Sequence, residues 1–303
     1  MTYGPDGNLY VASSGSNQIL EYNGQTGAFR RTFASVGTPT DLVFGRNGNL
    51  FVSSYGSQAV LEFNGTTGAN MGIFASRPGM IDPNGLAFGP DGNLYVSNYN
   101  APNTGNILRF NGNTGAFINT FIPTGVGGLS DPTDQVFASN GNLYVADYFD
   151  EVARGYNGAT GASLGYTTSG GPVPVRAFDI AIGPNGNIFM STGLPQNGAG
   201  VNSAIFQYNI QTGDFIDSFV PSGSGGLDGA IGLTFTPQAA PEPASLVLAG
   251  SGILGLLCFR SRLRKPVASL PPSRISDGGA SFCRLEPLYR NPSDESHGPQ
   301  QEG

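Results

Sequence analysis

Tryptophan is absent from the 303 residues, histidine occurs once and cysteine twice. Both cysteines, Cys258 and Cys283, lie beyond residue 237. The body before them therefore holds no disulfide framework and no thiolate metal site. The histidine, His297, is also beyond it, so residues 1–237 lack the commonest general base near neutral pH. Lysine is nearly missing too: Lys265 stands alone, and before residue 238 seven Arg face fifteen Asp plus Glu. That balance leaves the body near −8, a surface that repels phosphate backbones and excludes nucleic acid as a partner. The opening "MTYGPDGNLYV" reads as folded-domain sequence, with no signal-peptide pattern visible in it. No stretch of the body has helical periodicity.

What is present is glycine, 47 residues or about twice the usual share, beside an apolar fraction of 39 %. The glycines belong to a repeat. "GPDGNLYVASSGSNQILEYNGQTGAF" from Gly4 returns as "GRNGNLFVSSYGSQAVLEFNGTTGAN" from Gly45 and "GPDGNLYVSNYNAPNTGNILRFNGNTGAF" from Gly89. It returns again from Ala138 and from Gly183. Each unit divides into four short runs with strand-like spacing, typified by "GLAF", "NLYV", "ILRF" and "AFINTF". The "PDGN" and "NGNTG" stretches between them are turn chemistry, because Gly and Asn tolerate positive φ. Four antiparallel strands every 40 to 50 residues predict an all-β chain, a β-propeller of four-stranded blades. No blade covers both its faces alone, so stacking around an axis supplies the core.

"GLAFGPDGNLYVSN" resembles the blade opening of the NHL, gluconolactonase and streptogramin-lyase group of propellers, a likeness that covers residues 4–237. It implies the fold, with many functions behind it. Five blades are visible, and two expectations follow for closure. "IGLTFTP" from Ile231 reads as a first strand that completes blade one in a five-bladed ring. Alternatively, blades and a signal peptide lie upstream of Met1, making six or seven blades.

The C-terminal region has a different grammar. Pro241-Glu242-Pro243 closes a linker at 238–243, an uncharged run fills 244–259, and Arg260, Arg262 and Arg264 mark a basic stop at 260–265. The run is somewhat shorter than the roughly 20 residues of a spanning helix, yet its abrupt basic edge reads as one transmembrane helix with the propeller outside the cytoplasm. These three parts in this order resemble the PEP-CTERM sorting signal of bacterial envelope and exopolysaccharide-associated proteins. The resemblance implies export, an exosortase partner and cleavage near Pro241–Pro243. It also implies a transient anchor in the inner membrane. Residues 266–303 add a polar tail without periodicity, expected to be disordered.

Loop lengths distinguish the two rims of the propeller. The uniform turns join strands one to two and three to four, so they share one rim. The long, variable connections occupy the other, the usual place for binding. On that rim the start of strand one carries Asp41, Gly85, Asp134, Asp179 and Gly232 in successive copies, around one mouth of the axial channel. The end of strand two carries Ser13, Ser54, Asn98, Asp147 and Thr192. Asp41, Asp134, Asp179, Asn98 and Asp147 are thus the candidate ligand or cation residues, with Ca²⁺ the cofactor their oxygens suit. The competing expectation is that these side chains accept local backbone hydrogen bonds in the turns. The Tyr and Phe of "EYNG", "EFNG" and "RFNG" are expected to pack between blades.

The functional expectation is an exported, non-catalytic binding or scaffold propeller contacting exopolysaccharide, matrix or envelope proteins. Its alternative is a metal-dependent lactonase or lyase, for which Asn98 and Asp147 fall at suitable strand ends while Ser13 stands where a Glu is wanted.

Overall fold

The computed structural model describes residues 1–99, 103–171, 176–192, 203–227 and 230–236. These form five separate four-stranded antiparallel sheets, each a meander in chain order. Blade one is β1 (Thr2–Tyr3), β2 (Leu9–Ser13), β3 (Gln18–Tyr22) and β4 (Phe29–Ser35). Blade two is β5 (Pro39–Phe44), β6 (Leu50–Ser54), β7 (Ala59–Phe63) and β8 (Asn70–Ala75). Blade three follows with β9 (Pro83–Phe88), β10 (Leu94–Asn98), β11 (Asn106–Phe110) and β12 (Phe117–Ile122). Blade four is β13 (Pro132–Phe137), β14 (Leu143–Asp147), β15 (Val152–Tyr156) and β16 (Ser163–Thr167). Blade five is β17 (Ala177–Ile182), β18 (Ile188–Thr192), β19 (Ala204–Tyr208) and β20 (Phe215–Val220). The protein is a five-bladed propeller.

The first strand of each blade touches the first strand of the next, β5 with β9, β9 with β13 and β13 with β17, so these strands line the axis. The second strands are buried along their whole length. Their aromatic residues fasten neighbouring blades by one repeated edge-to-face pattern. Tyr10 meets Phe33 of its own outer strand and Phe44 of the next inner strand. Phe51 meets Phe74 and Phe88, and Tyr95 meets Phe121 and Phe137, in the same way. Each such pair contributes about 0.5–1.5 kcal/mol beyond its buried area. Phe63 and Phe110 of "EFNG" and "RFNG" are fully buried in clusters that join consecutive blades, as expected, whereas Tyr22 of "EYNG" is half-buried and packs edge-on against Phe29 of its own blade.

Both kinds of turn lie on one rim. In the first, Gly7, Gly48, Gly92, Gly141 and Gly186 all hold φ between 75° and 80°, a region that penalises any Cβ. In the second, Asn23, Asn64, Asn111, Asn157 and Asn209 each accept two backbone N–H bonds and hold the turn closed. The two turns press together within a blade. A Cβ on Gly24, Gly65, Gly112 or Gly158 would overlap the carbonyl of Gly7, Gly48, Gly92 or Gly141.

Ring closure departs from the sequence expectation. Ala230–Thr236 pairs in no ladder, and the inner partner of β2 is the two-residue β1. The closing segment instead docks on blade five. Leu233 N–H donates to Asp179 Oδ2 at 2.7 Å, and the Phe235 ring packs edge-on against Phe189 at 4.9 Å. A Cβ on Gly232 would lie 3.2 Å from Met1 Cε, so this segment brings the chain round to its own first residue. β1 holds the turn end of the inner edge of β2, pairing Thr2 with Tyr10 and Tyr3 with Leu9.

The described residues end at Thr236, where their compact unit gives way to the unit beginning at Pro237. The expected transmembrane helix at 244–259, basic stop and tail lie outside the described residues. Among the described residues no helix is long and apolar enough to cross a membrane.

Candidate functional site

The axial aspartates come together, and their oxygens bond from blade to blade. Asp41 Oδ2 on β5 accepts the N–H of Leu86 on β9 at 2.9 Å. Asp134 Oδ2 on β13 accepts the N–H of Ile180 on β17 at 3.1 Å. Asp179 repeats the bond to Leu233. These bonds are not the local turn contacts that sequence suggests. They cross from one blade to the next, each supplying a backbone N–H with a carboxyl acceptor, a contact usually worth about 0.5–1.5 kcal/mol and more where the acceptor is charged.

Blade three breaks the series because Gly85 stands at the aspartate position. A Cβ there would lie 2.5 Å from Asp134 Cα and 2.9 Å from the Thr133 carbonyl, so the neighbouring strand occupies its space. The link between blades three and four is made by Gln135 instead. Its amide donates to the Tyr95 carbonyl at 3.1 Å, and its Oε1 accepts the Ser97 hydroxyl. Sequence reading missed Gln135, although a polar residue among the aligned Leu42, Leu86, Ile180 and Leu233 was the available signal.

Three carboxylates around one axis repel. Burial, then the like charge of Asp179 and Asp41 and a side-chain hydrogen bond with Asp179, raise Asp134 well above the ordinary carboxylate range. Burial pushes Asp41 up to about 6, opposed by the Met1 ammonium, whose nitrogen is 3.9 Å from Oδ1. The arrangement suits a shared proton at Asp134. Among the described residues no group of three or more His, Cys, Asp or Glu is placed to hold a metal ion.

Asn98 and Asp147 belong to different surroundings. The second strands of blades two, three and four end by fastening the connection that enters their own blade. Ser54 Oγ donates to the Gly37 carbonyl at 2.6 Å, and Asn98 Oδ1 accepts the Ile81 N–H at 3.0 Å. Asp147, wholly buried, accepts the Ser130 N–H and hydroxyl, the Asp131 N–H and the Arg154 guanidinium, all at 2.8–3.0 Å. Arg154 also bonds Asp150 and the Gly127 carbonyl. The acidic patch at Asp147, Asp150 and Glu151 is thus partly neutralised by an arginine from the next strand.

Two further groups near this end of blade four escaped the sequence reading. Asp131 is fully buried with Oδ2 unpartnered, and burial raises its carboxyl. Arg176 lies over the Tyr148 ring at 4.6 Å with a buried, unpartnered Nε. On the turn rim, a cleft of about 250 Å³ opens between blades two and three, lined by Arg46, Asn47, Phe88, Asp91 and Asn93 among others.

Residues 239–265 match the PEP-CTERM protein-sorting motif, the mark of exported proteins sorted by an exosortase. The sorting residues Pro241, Glu242, Pro243, Arg260, Arg262 and Arg264 fall within this match and outside the described structure. No curated protein matches the chain in sequence. The propeller is similar to a chain in the nidogen/laminin complex, with 16 % identity over 72 % of this chain and 77 % of that one, at a TM-score of 0.58. It is also similar to a gluconolactonase from Xanthomonas campestris, 12 % identical over 71 % and 72 % of the chains, at 0.56. A catalytically inactive virginiamycin B lyase from Staphylococcus aureus, solved with quinupristin, is 12 % identical over 70 % and 66 %, at 0.51. These likenesses establish the propeller fold.

Proposed function

We propose that this chain is an exported propeller, processed by an exosortase near Pro241–Pro243, that works at the cell envelope or outside it as a non-catalytic binding or scaffold module. Exopolysaccharide, matrix or surface proteins are its contact class. The observation that carries the reading is the sorting motif at 239–265, three residues beyond the closing segment of the ring. The polar groups at the axis and at the strand ends support the non-catalytic part, since Asp41, Asp134, Asp179, Asn98 and Asp147 all accept bonds that hold blades and connections in place. An oxygen already accepting such bonds is poorly placed to coordinate a reacting group.

The test is intact-mass and C-terminal peptide analysis of the protein from its native cells. A mature end near Pro241–Pro243 in the envelope or medium is the expected result. A cytoplasmic chain still ending at Gly303 overturns the reading. The competing reading, a metal-dependent lactonase or lyase, draws on the fold shared with the gluconolactonase and the lyase. Calcium-dependent opening of gluconolactone by the full chain, lost in Asp147→Asn, would replace the binding role with an enzymatic one.

A further inference from the structure

The cleft of about 250 Å³ on the turn rim lies where blades two and three meet, and its lining is mostly polar. Arg46 reaches it from blade two, and Phe88, Asp91, Asn93, Asn111 and Asn113 line it from blade three. Two of these residues depart from the repeat. Where Arg46 stands, the other copies carry Pro5, Pro90, Ser139 and Pro184. Where Asn113 stands, they carry Gln25, Thr66, Ala159 and Gln211. Proline at the first position pre-sets the φ that a tight turn needs. Arg46 gives up that advantage without altering the turn, since the Gly48 N–H still donates to the Gly45 carbonyl at 2.9 Å, as Gly92 does to Gly89. The turn therefore does not explain the arginine.

The guanidinium crosses the junction between the blades: a Cβ on Gly92 would lie 3.8 Å from Arg46 Nη1. Among the described residues Arg46 makes no hydrogen bond and no ion pair, so its five N–H donors are free. Asp91, by contrast, is firmly held. Its Oδ1 accepts the Asn93 N–H at 3.1 Å, and its Oδ2 accepts the Asn93 amide and the Tyr95 hydroxyl at 2.7 and 3.0 Å. Against the effect of burial, these bonds and the nearby Arg109 keep its carboxyl below the ordinary range. Asn111 Oδ1 accepts the N–H groups of Asn113 and Thr114, which leaves its Nδ2 free. The side-chain amide of Asn113 and Asn93 Oδ1 are also without a partner among the described residues.

Free donors thus outnumber free acceptors in the cleft. The charges around it balance, Arg46 and Arg109 against Asp91 and Glu62, whose Oε1 accepts the Asn47 amide at 3.2 Å. An anion would meet Asp91, and a cation would meet Arg46. A hydroxyl has one proton to give and two lone pairs to fill, so a ring of hydroxyls matches a donor-rich site without net charge. Resting on the binding role proposed above, we propose that this cleft is a saccharide subsite for one ring of a neutral sugar polymer. Arg46, Asn111 and Asn113 donate to the ring's oxygens, Asn93 and Asp91 accept from its hydroxyls, and Phe88 offers the apolar contact.

Titration calorimetry on the full chain in a sugar-free detergent tests the subsite. The probes are neutral hexasaccharides of glucose, mannose and galactose, with hexagalacturonate and a chitosan hexamer as the anionic and cationic comparisons. At least one neutral probe is expected to bind. Arg46→Pro, which installs the residue that three other copies carry, should weaken it about tenfold or more, as should Arg46→Gln, which leaves the turn unconstrained. Asn113→Ala should weaken it by a smaller factor. Ser139→Pro, the same change at the equivalent place in blade four, should leave it unaltered. Failure of every neutral probe to bind overturns the subsite. Binding that Arg46→Pro, Arg46→Gln and Asn113→Ala all leave unchanged overturns it as well, while sparing the binding role of the propeller. Tighter binding of a charged probe than of any neutral one overturns the choice of ligand class.

Discussion

The carboxyl of Asp134 on the inner strand of blade four reaches into blade five, where its Oδ2 accepts the N–H of Ile180 at 3.1 Å. Burial, with the like charges of Asp179 and Asp41, favours its protonated form. A carboxyl raised in the folded state binds its proton more tightly there than in the unfolded chain, so its stabilisation is full below about pH 4 and is lost as pH rises. Asp41 and Asp82, each raised to about 6 by burial, act in the same direction. The melting temperature should therefore fall as pH rises from about 4 to about 6. Asp134→Asn keeps an acceptor for Ile180 and gives Asp179 a neutral donor. It should flatten that fall and raise the melting temperature by a few degrees at pH 8, as thermal melts across the range will read. Millimolar calcium is a further check: a calcium-dependent rise that Asp134→Asn abolishes would assign a cation to the mouth in place of the proton.

Asp147 is the most heavily bonded carboxylate of the molecule among the described residues, and Arg154 beside it is only 13 % exposed. Asp147→Ala leaves the guanidinium and three donors without their acceptor. Loss of one partner of a buried pair typically costs about 3–5 kcal/mol. In denaturant melts, Asp147→Ala with Arg154→Leu should cost less than the two single substitutions together, because the uncompensated charge is removed.

Gly85 gives a steric test of blade packing. Its φ is ordinary, so Gly85→Ala carries no backbone strain, only the clash with Asp134 and Thr133. A cost of about 1–3 kcal/mol is expected, as for other overpacked interiors. Gly15→Ala, with no atom within 4 Å of the added Cβ, should lie within about 0.5 kcal/mol of the parent. Chemical denaturation of the two variants separates packing from the general effect of losing glycine.

Closure of the ring rests on few contacts. Phe235→Ala removes the edge-on partner of Phe189, and Asp179→Ala removes the acceptor of the Leu233 N–H. Each should lower stability by about 1–3 kcal/mol. Both should speed amide hydrogen exchange at Leu233 and in β18 well before it changes in β10, which sits two blades away. Uniform acceleration in all blades would show instead that the ring opens only as a whole.

Much of the architecture was legible because its signals are local. Alternating apolar residues, Gly48 and its equivalents at positive φ, and Asn64 and its equivalents closing the second turn all act within a few residues. They determine strands, turns and which connections share a rim, while the number of blades stayed open between five and seven. The sorting motif is legible for the same reason, being a linear order of Pro-Glu-Pro, apolar run and arginines. The aligned aspartates could be placed around the axis from sequence, yet the acceptor role of Asp41 toward Leu86 could not, since its partner lies 45 residues away. Closure of the ring likewise depends on the space left by β1, on the reach of Asp179 and on the face Phe189 offers Phe235. By itself the sequence determined the blades and the sorting signal. Only the tertiary structure decided how the blades are joined, because a carboxylate's partner is chosen by distance across a packed interface and leaves no periodic trace along the chain.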